Sequence, residues 1–549
     1  MTLVRLSLDG PVEADTYREF QGEAEFAVDP DQHVAIVDLD LAPRDSQGCV
    51  HFSADVRILR PLGATNRGLF LDVPNRGTSI FTRMLEPGPM GPATQLTEGF
   101  LLRRGFTVVT CGWQHDIARG NGRFGLTAPP ARANGQPLSG PVTTTRQIDA
   151  PTAELMPDSP YRPIASAAAT LIEHDDPTGP GHEVSSDAWR LDADGRAHFA
   201  FVPGKTYVLT YMADGASVTG LGLLAMRDLV SHLRQQYNLE FAIAMGASQT
   251  GRVLRQMVAL GLCEDEAGRL ALDGVLAVAA GARFADVNTR FAQPASQEPS
   301  TASPIDAGLR GSRSPKLMLL NTSSEYCSSS SPKHLSAALS HLTPDRQTDL
   351  DVPNNVRIYL AASTQHAPSP LPFGSGDVPA GRGVNLPNTI DYKPFVRACV
   401  DNLTTWIVDG VEPPPSVYPR LSDGTLDTRL WPNVDADGNE VAGIRHPDVS
   451  VPLATYLGWN PRHPSIGAPH LLLRATGSTI PFSSEAIAQR YPSREAFLQQ
   501  VRTAAEALAA QRYVLSEDIP TLVAASATRW DLFTAVETPA LLATHAGLG

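Results

Sequence analysis

Three residues of this 549-residue chain are of the types that turn a hydroxyl into a nucleophile: Ser248 in GASQTG, Glu325 in NTSSEY and His366 in STQHA. A serine hydroxyl attacks poorly at neutral pH unless an imidazole takes its proton. The imidazole in turn keeps one tautomer when a carboxylate accepts from its other nitrogen. Such a trio carries out acyl transfer through a covalent ester of the serine, and the oxyanion formed on the way needs two backbone N–H donors. The residue after the nucleophile, Gln249, is one candidate donor, and the turn of Asn75, Arg76 and Gly77 offers the other.

Residue type does not single these out. A nucleophile on a sharp strand-to-helix turn needs small neighbours, because the two backbones approach closely there. Gly246 and Gly251 flank Ser248, yet glycine usually stands two places after such a serine and Thr250 occupies that position here. GASVTG, around Ser217, has the same form. Position separates the two. Only Gly246 and Ala247 lie between Ser248 and the apolar run FAIAM, whereas Ser217 trails a more polar run by the longer Met-Ala-Asp-Gly-Ala connection, so Ser217 reads as a capping or loop serine. Asp286 in GARFAD is the alternative acid. Of the 14 histidines, His334 and His341 fall on a helical stretch suited to solvated or capping roles, and His115 follows an early strand. His366 has the position expected of the base.

The three residues can meet only if strands end just before them. Runs at 241–245, 274–279, 316–321 and 356–362 are uninterrupted enough in their apolar residues to be strands buried on both faces of a parallel sheet. Ser248, Glu325 and His366 follow the first, third and fourth of these, in the chain order nucleophile, acid, base. Upstream, 34–41, 51–59 and 68–73 read as strands, and 99–102 leads into another at 107–111. Helical spacing at 220–237 puts Leu223, Met226, Leu229, Val230 and Leu233 on one face. Further helices are expected after Ser248 through 262, from 394 to 408, and within 493–535. Strand, turn, helix and strand in succession make a mostly parallel sheet flanked by helices.

Between 127 and 205 the composition shifts to Pro, Thr, Asp and Gly, with short strand-like pieces at 197–202 and, just beyond, 207–211, which marks a β-rich insertion. Residues 288–314 read as a cover over the strand ends or a long surface loop, and the Pro-rich 410–419 as departure from the core. The expected organisation is therefore an N-terminal part of the core at 1–126, the insertion at 127–205, the catalytic core at 206–409 and a C-terminal extension at 410–549.

Composition, at 42% apolar and 19% charged residues, is that of a globular enzyme. A net charge of -14 argues against nucleic acid and anionic membranes as partners and points to a neutral or cationic small substrate. The five cysteines lie far apart, without zinc-site or redox spacing. The first residues lack the form of a secretory signal and no run approaches the ~20 apolar residues of a membrane span, so a cytoplasmic location is expected. There is no GxxxxGK loop, no GxGxxG opening a helix after a first strand and no HExxH. No metal or organic cofactor is required.

Together, GASQTGR with its helix, NTSSEY, STQH, VPNRG and GWQ resemble a bacterial family of large α/β-hydrolase-domain proteins, over most of the chain and through GSTIPF to ATRWD. The resemblance implies an α/β-hydrolase fold and Ser248, Glu325 and His366 as its triad. His115 in GWQHD departs from the small residue expected there. The reaction expected is hydrolysis of a small-molecule carboxylic ester. Amide or peptide hydrolysis and acyl transfer to an alcohol are alternatives for the same residues, and a binding scaffold without catalysis is an alternative of another kind.

Overall fold

The computed structural model describes residues 3–14, 16–86, 99–157, 159–165, 167–295, 314–327, 337–371 and 382–535. Its centre is a sheet of β1 (Leu3–Leu8), β2 (Tyr17–Val28), β3 (Val50–Pro61), β4 (Gly68–Asp72), β5 (Thr107–Cys111), β6 (Phe241–Ala247), β7 (Gly274–Val278), β8 (Lys316–Thr322) and β9 (Val356–Ala361) in the order β1-β2-β3-β5-β4-β6-β7-β8-β9. The first three are antiparallel to their neighbours, and β4 to β9 run parallel. The nearly continuous apolar runs have a physical reason. Alternate residues of β6, Ala242 and Ala244 against Ile243 and Met245, enter separate cores on the two sheet faces. On one face α1 (Leu221–Gln236) and α2 (Gln249–Ala259) cover the sheet, and on the other α3 (Lys393–Val408) does so.

The parallel half matches the expected elements closely, and α2 ends a few residues before 262. The antiparallel half does not match throughout. Residues 34–41 form no strand: the chain turns at Asp38, with φ 60°, into a 3-10 turn at Leu39–Leu41. Their alternation of apolar and acidic residues reflects a loop that inserts Ile36 and Leu39 into the core while Val34 stays exposed. The long strand β2 supplies the sheet instead.

The insertion builds its own antiparallel sheet from Ser139–Gln147, Thr206–Asp214, Thr170–His174 and His182–Glu183, and a second from Thr152–Leu155, Ala197–Phe201 and Arg190–Leu191. Thr206–Asp214, which a boundary after 205 assigns to the catalytic core, pairs along its length with Ser139–Gln147 and packs Tyr207, Leu209 and Tyr211 into the insertion's own apolar cluster. The chain rejoins the main sheet through α1. A clasp connects insertion and C-terminal extension: Asp149 accepts from the buried Arg462 at 2.7 Å and also pairs with Arg382, and Gln147 accepts from Arg462 at 3.1 Å.

The extension also lies along the outer edge of β9. Leu360 N–H donates to the Val417 carbonyl at 2.9 Å, Val417 N–H to Ile358 at 3.0 Å, Ile444 N–H to Leu360 at 2.7 Å and Ala362 N–H to Ile444 at 3.1 Å. Among the described residues no helix is long and apolar enough to cross a membrane.

Candidate active site

Ser248 stands between β6 and α2 with φ 56° and ψ -115°, a conformation that a non-glycine residue adopts only where its surroundings enforce it. Three bonds hold this elbow. Ser248 N–H donates to Val278 on the neighbouring strand at 2.8 Å. The Thr250 hydroxyl accepts from Ala247 N–H at 2.9 Å and donates to the Ala247 carbonyl at 3.1 Å. The Ser248 hydroxyl itself makes no capping bond to α2.

The displaced glycine of the motif is explained by the same geometry. A Cβ on Gly246 would lie 2.4 Å from the Thr250 carbonyl oxygen, and one on Gly251 would lie 3.0 Å from Ala280 Cβ and 3.1 Å from the Gly246 oxygen. The tightest approach thus falls on Gly246 and a looser one on Gly251, while Thr250 braces the turn.

Glu325 lies in the short helix Ser323–Cys327 that follows β8, and His366 follows β9. Glu325 Oε1 is 2.6 Å from His366 Nδ1. The other carboxylate oxygen, Oε2, accepts from Thr322 N–H at 2.7 Å and from the Thr322 hydroxyl at 2.6 Å. His366 is held by its backbone: its N–H donates to Ser324 Oγ at 3.1 Å, and its carbonyl accepts from the Tyr392 hydroxyl at 2.6 Å. The loop after β7 closes the arrangement, since a Cβ on Gly281 would be 3.8 Å from Glu325 Cγ. The chain after β7 thus passes from Val278, bonded to Ser248, to Gly281 beside Glu325, which in turn meets His366.

Glu440, which the sequence did not single out, sits behind this pair. Its Oε2 accepts from the Ser323 hydroxyl at 2.5 Å and from Ser363 N–H at 2.7 Å, and its own N–H donates to Ser363 Oγ at 2.8 Å. Ser323 Oγ accepts in turn from Thr364 N–H at 3.2 Å. One carboxyl thereby joins the turn that carries Glu325 to the turn that carries His366. Burial pushes it up to about 7.

The first N–H groups of α2, Gln249 included, have no intrahelical partner, and the Gln249 side chain is anchored on the Pro294 carbonyl. In the other proposed donor loop, Asn75 N–H is turned inward to Thr78 at 2.8 Å, and its side chain donates to the Ala247 carbonyl at 3.2 Å. Asn75 therefore braces the elbow rather than offering its amide. Among the described residues, the N–H groups of Arg76 and Gly77 have no such partner.

The competing candidates lie elsewhere. Asp286 accepts from the Thr289 hydroxyl and from Gln293 N–H at 2.8 Å, spending itself within its own loop. His341 is not solvated but fully buried, its ring 4.7 Å from that of Tyr418, and burial lowers it to about 4. His334 and most of 288–314 lie outside the described residues. Ser217 and His115 both line a separate cavity of about 400 Å³ between insertion and core, where His115 is 3.3 Å from the Tyr161 hydroxyl.

A mostly parallel sheet in this strand order, with a strained serine elbow after its central strand, defines the α/β-hydrolase class. The chain belongs to the alpha/beta hydrolase domain family, whose match runs over residues 218–524, more than half of its length. Two solved structures show distant likeness. A novel bacterial esterase is 10% identical, with 58% of this chain and 78% of that one covered and a TM-score of 0.22. Brefeldin A esterase, a bacterial homologue of human hormone-sensitive lipase, is 12% identical, with 58% and 63% covered and a TM-score of 0.20. At these values neither bears on the reaction. No curated protein matches the chain.

Proposed function

We propose that this hydrolase cleaves a carboxylic ester, with Ser248 as nucleophile, His366 as base and Glu325 as the acid that orients it. The observation that carries the reading is the 2.6 Å contact between Glu325 Oε1 and His366 Nδ1, formed by residues that follow two adjacent strands of the same sheet. With Nδ1 committed to the carboxylate, Nε2 is the nitrogen left to take the Ser248 proton. Oxygen attack on the ester carbonyl forms a tetrahedral oxyanion, which the N–H of Gln249 and those of the Arg76 and Gly77 turn receive. Collapse expels the alcohol, protonated by the imidazolium, and leaves Ser248 acylated. Water, deprotonated by His366, then attacks the acyl-enzyme and releases the acid and the free serine. Glu325 stabilises the imidazolium in both halves without taking a proton itself.

The test is labelling of the folded protein with a fluorophosphonate, with intact mass, peptide mapping and p-nitrophenyl ester turnover measured on wild type and Ser248→Ala. A single adduct on Ser248, with adduct and turnover both lost in the variant, is expected. An adduct on Ser217, or none at all in folded protein, would overturn the assignment.

A further inference from the structure

Arg252 lies on the first turn of α2, its N–H bonded to the Ser248 carbonyl at 3.1 Å. Its Nε is buried and makes no hydrogen bond. Three more arginines reach its neighbourhood from three other segments. Arg76 follows β4 and donates to two neutral oxygens, Asn75 Oδ1 at 3.1 Å and the Ala295 carbonyl at 3.3 Å. Arg283 lies two residues beyond Gly281, the residue packed on Glu325. Arg474 stands three residues before Gly477, whose N–H donates to Gln365 Oε1 at 2.8 Å, beside His366. Among the described residues, the carboxylate that faces Arg252, Glu325, is engaged with His366 and Thr322, and the one near Arg76, Asp116, with Ala295 N–H at 2.8 Å and the Gln114 amide at 2.7 Å.

This concentration of charge is costly. The Arg252 Nε loses solvation on burial and gains no hydrogen bond in return among the described residues. A cation in the first turn of a helix also opposes the helix dipole, and the three other arginines repel it. Burial, with help from Arg474, lowers the Arg252 guanidinium only to about 10, so it stays charged at neutral pH. Nor is the cluster a by-product of a basic chain, since the protein carries a net charge of -14. An anion bound beside Ser248 would offset all of these costs, and a guanidinium fork fits a carboxylate in particular.

We propose that the substrate is an anionic ester, bearing a carboxylate in its acyl or its alcohol part, which Arg252 pairs with while Arg76, Arg283 and Arg474 supply the surrounding positive potential. The inference rests on the ester-hydrolase reading and names its substrate class. It reverses the expectation drawn from net charge, because the local field, not the total, acts on a bound ligand.

Two matched pairs test it, with every rate normalised to that of hydroxide. For the acyl arm they are p-nitrophenyl hemiglutarate and p-nitrophenyl pentanoate; for the alcohol arm, 4-acetoxybenzoate and phenyl acetate. In wild type, kcat/KM should favour the anionic member by at least about 10-fold in one arm, the scale of a hydrogen bond to a charged group. That ratio should collapse toward one in Arg252→Gln, fall in the exposed variant Arg474→Gln, and return in part in Arg252→Lys. A thermal melt shows that each variant is folded. A ratio near one in both arms, or one that neither glutamine variant alters, overturns the inference while leaving ester hydrolysis standing. No turnover of all four esters, joined to an unlabelled Ser248, removes the ester reading and this inference with it.

Discussion

Glu325 commits both carboxylate oxygens, one to the imidazole and one to Thr322, so the role proposed for it is positional as well as electrostatic. Glu325→Gln keeps the shape but lets the amide N–H₂ face Nδ1, favouring the wrong tautomer. Ester kcat should fall by about 10³ to 10⁴, as when a triad carboxylate becomes an amide, while fluorophosphonate labelling slows in parallel. An unaltered kcat would remove Glu325 from the mechanism. The placement of Ser248, Glu325 and His366 just past strand ends was legible because each unites a reactive type with a place after an apolar run. Glu440 was not, because GNE in a turn-rich segment resembles any exposed loop carboxylate until the fold buries it. Arg252 was in plain view within GASQTGR. Its meaning depends on three arginines distant in the chain, which no local pattern brings together.

At the scale of elements, β8 and β9 are adjacent strands whose ends must stay in register for Glu325 and His366 to meet, and Glu440 ties their turns together. Its carboxyl ionises near ~4.3 in the unfolded chain but only near 7 in the fold, because burial outweighs the opposing bonds from Ser323 and Ser363 and the pull of Arg445. Between those two values the folded state holds a proton that the unfolded state has released. Stability therefore falls as pH rises through this window; the contribution is complete below the unfolded value and lost above about 7. Set against Glu440→Gln, which cannot ionise, wild type should lose up to about 3 kcal/mol between pH 4 and 8, read from denaturant unfolding at each pH. A difference that does not vary with pH would show that Glu440 does not titrate in this range. The elements themselves were legible where both faces of a strand are buried, as in β6 to β9. Residues 34–41 misled because their alternation of apolar and acidic residues belongs to a loop that sends only Ile36 and Leu39 into the core, three residues apart.

At the scale of the whole molecule, insertion and extension are distant in sequence yet locked together by Asp149 and the buried Arg462. Asp149→Ala leaves that guanidinium without its carboxylate. Unfolding free energy should fall by about 1.5–3 kcal/mol, the worth of a hydrogen bond to a charged group, and limited proteolysis should begin within the insertion. Equal stability with unchanged cleavage sites would show that the clasp is decorative. Composition marked both segments as departures from the core, but no feature of residues 127–205 indicates that their partner lies some three hundred residues onward.

The extension's path along β9 has one more consequence. Val417 and Ile444 occupy backbone donors and acceptors of a strand whose residues are almost entirely buried. Cut after residue 409, the chain would present that strand as an open template for another copy, with apolar side chains on both faces, the form in which proteins aggregate edge to edge. The last quarter of this polypeptide is thus its safeguard against self-association, and a shortened version should be recovered from inclusion bodies rather than as a smaller working enzyme.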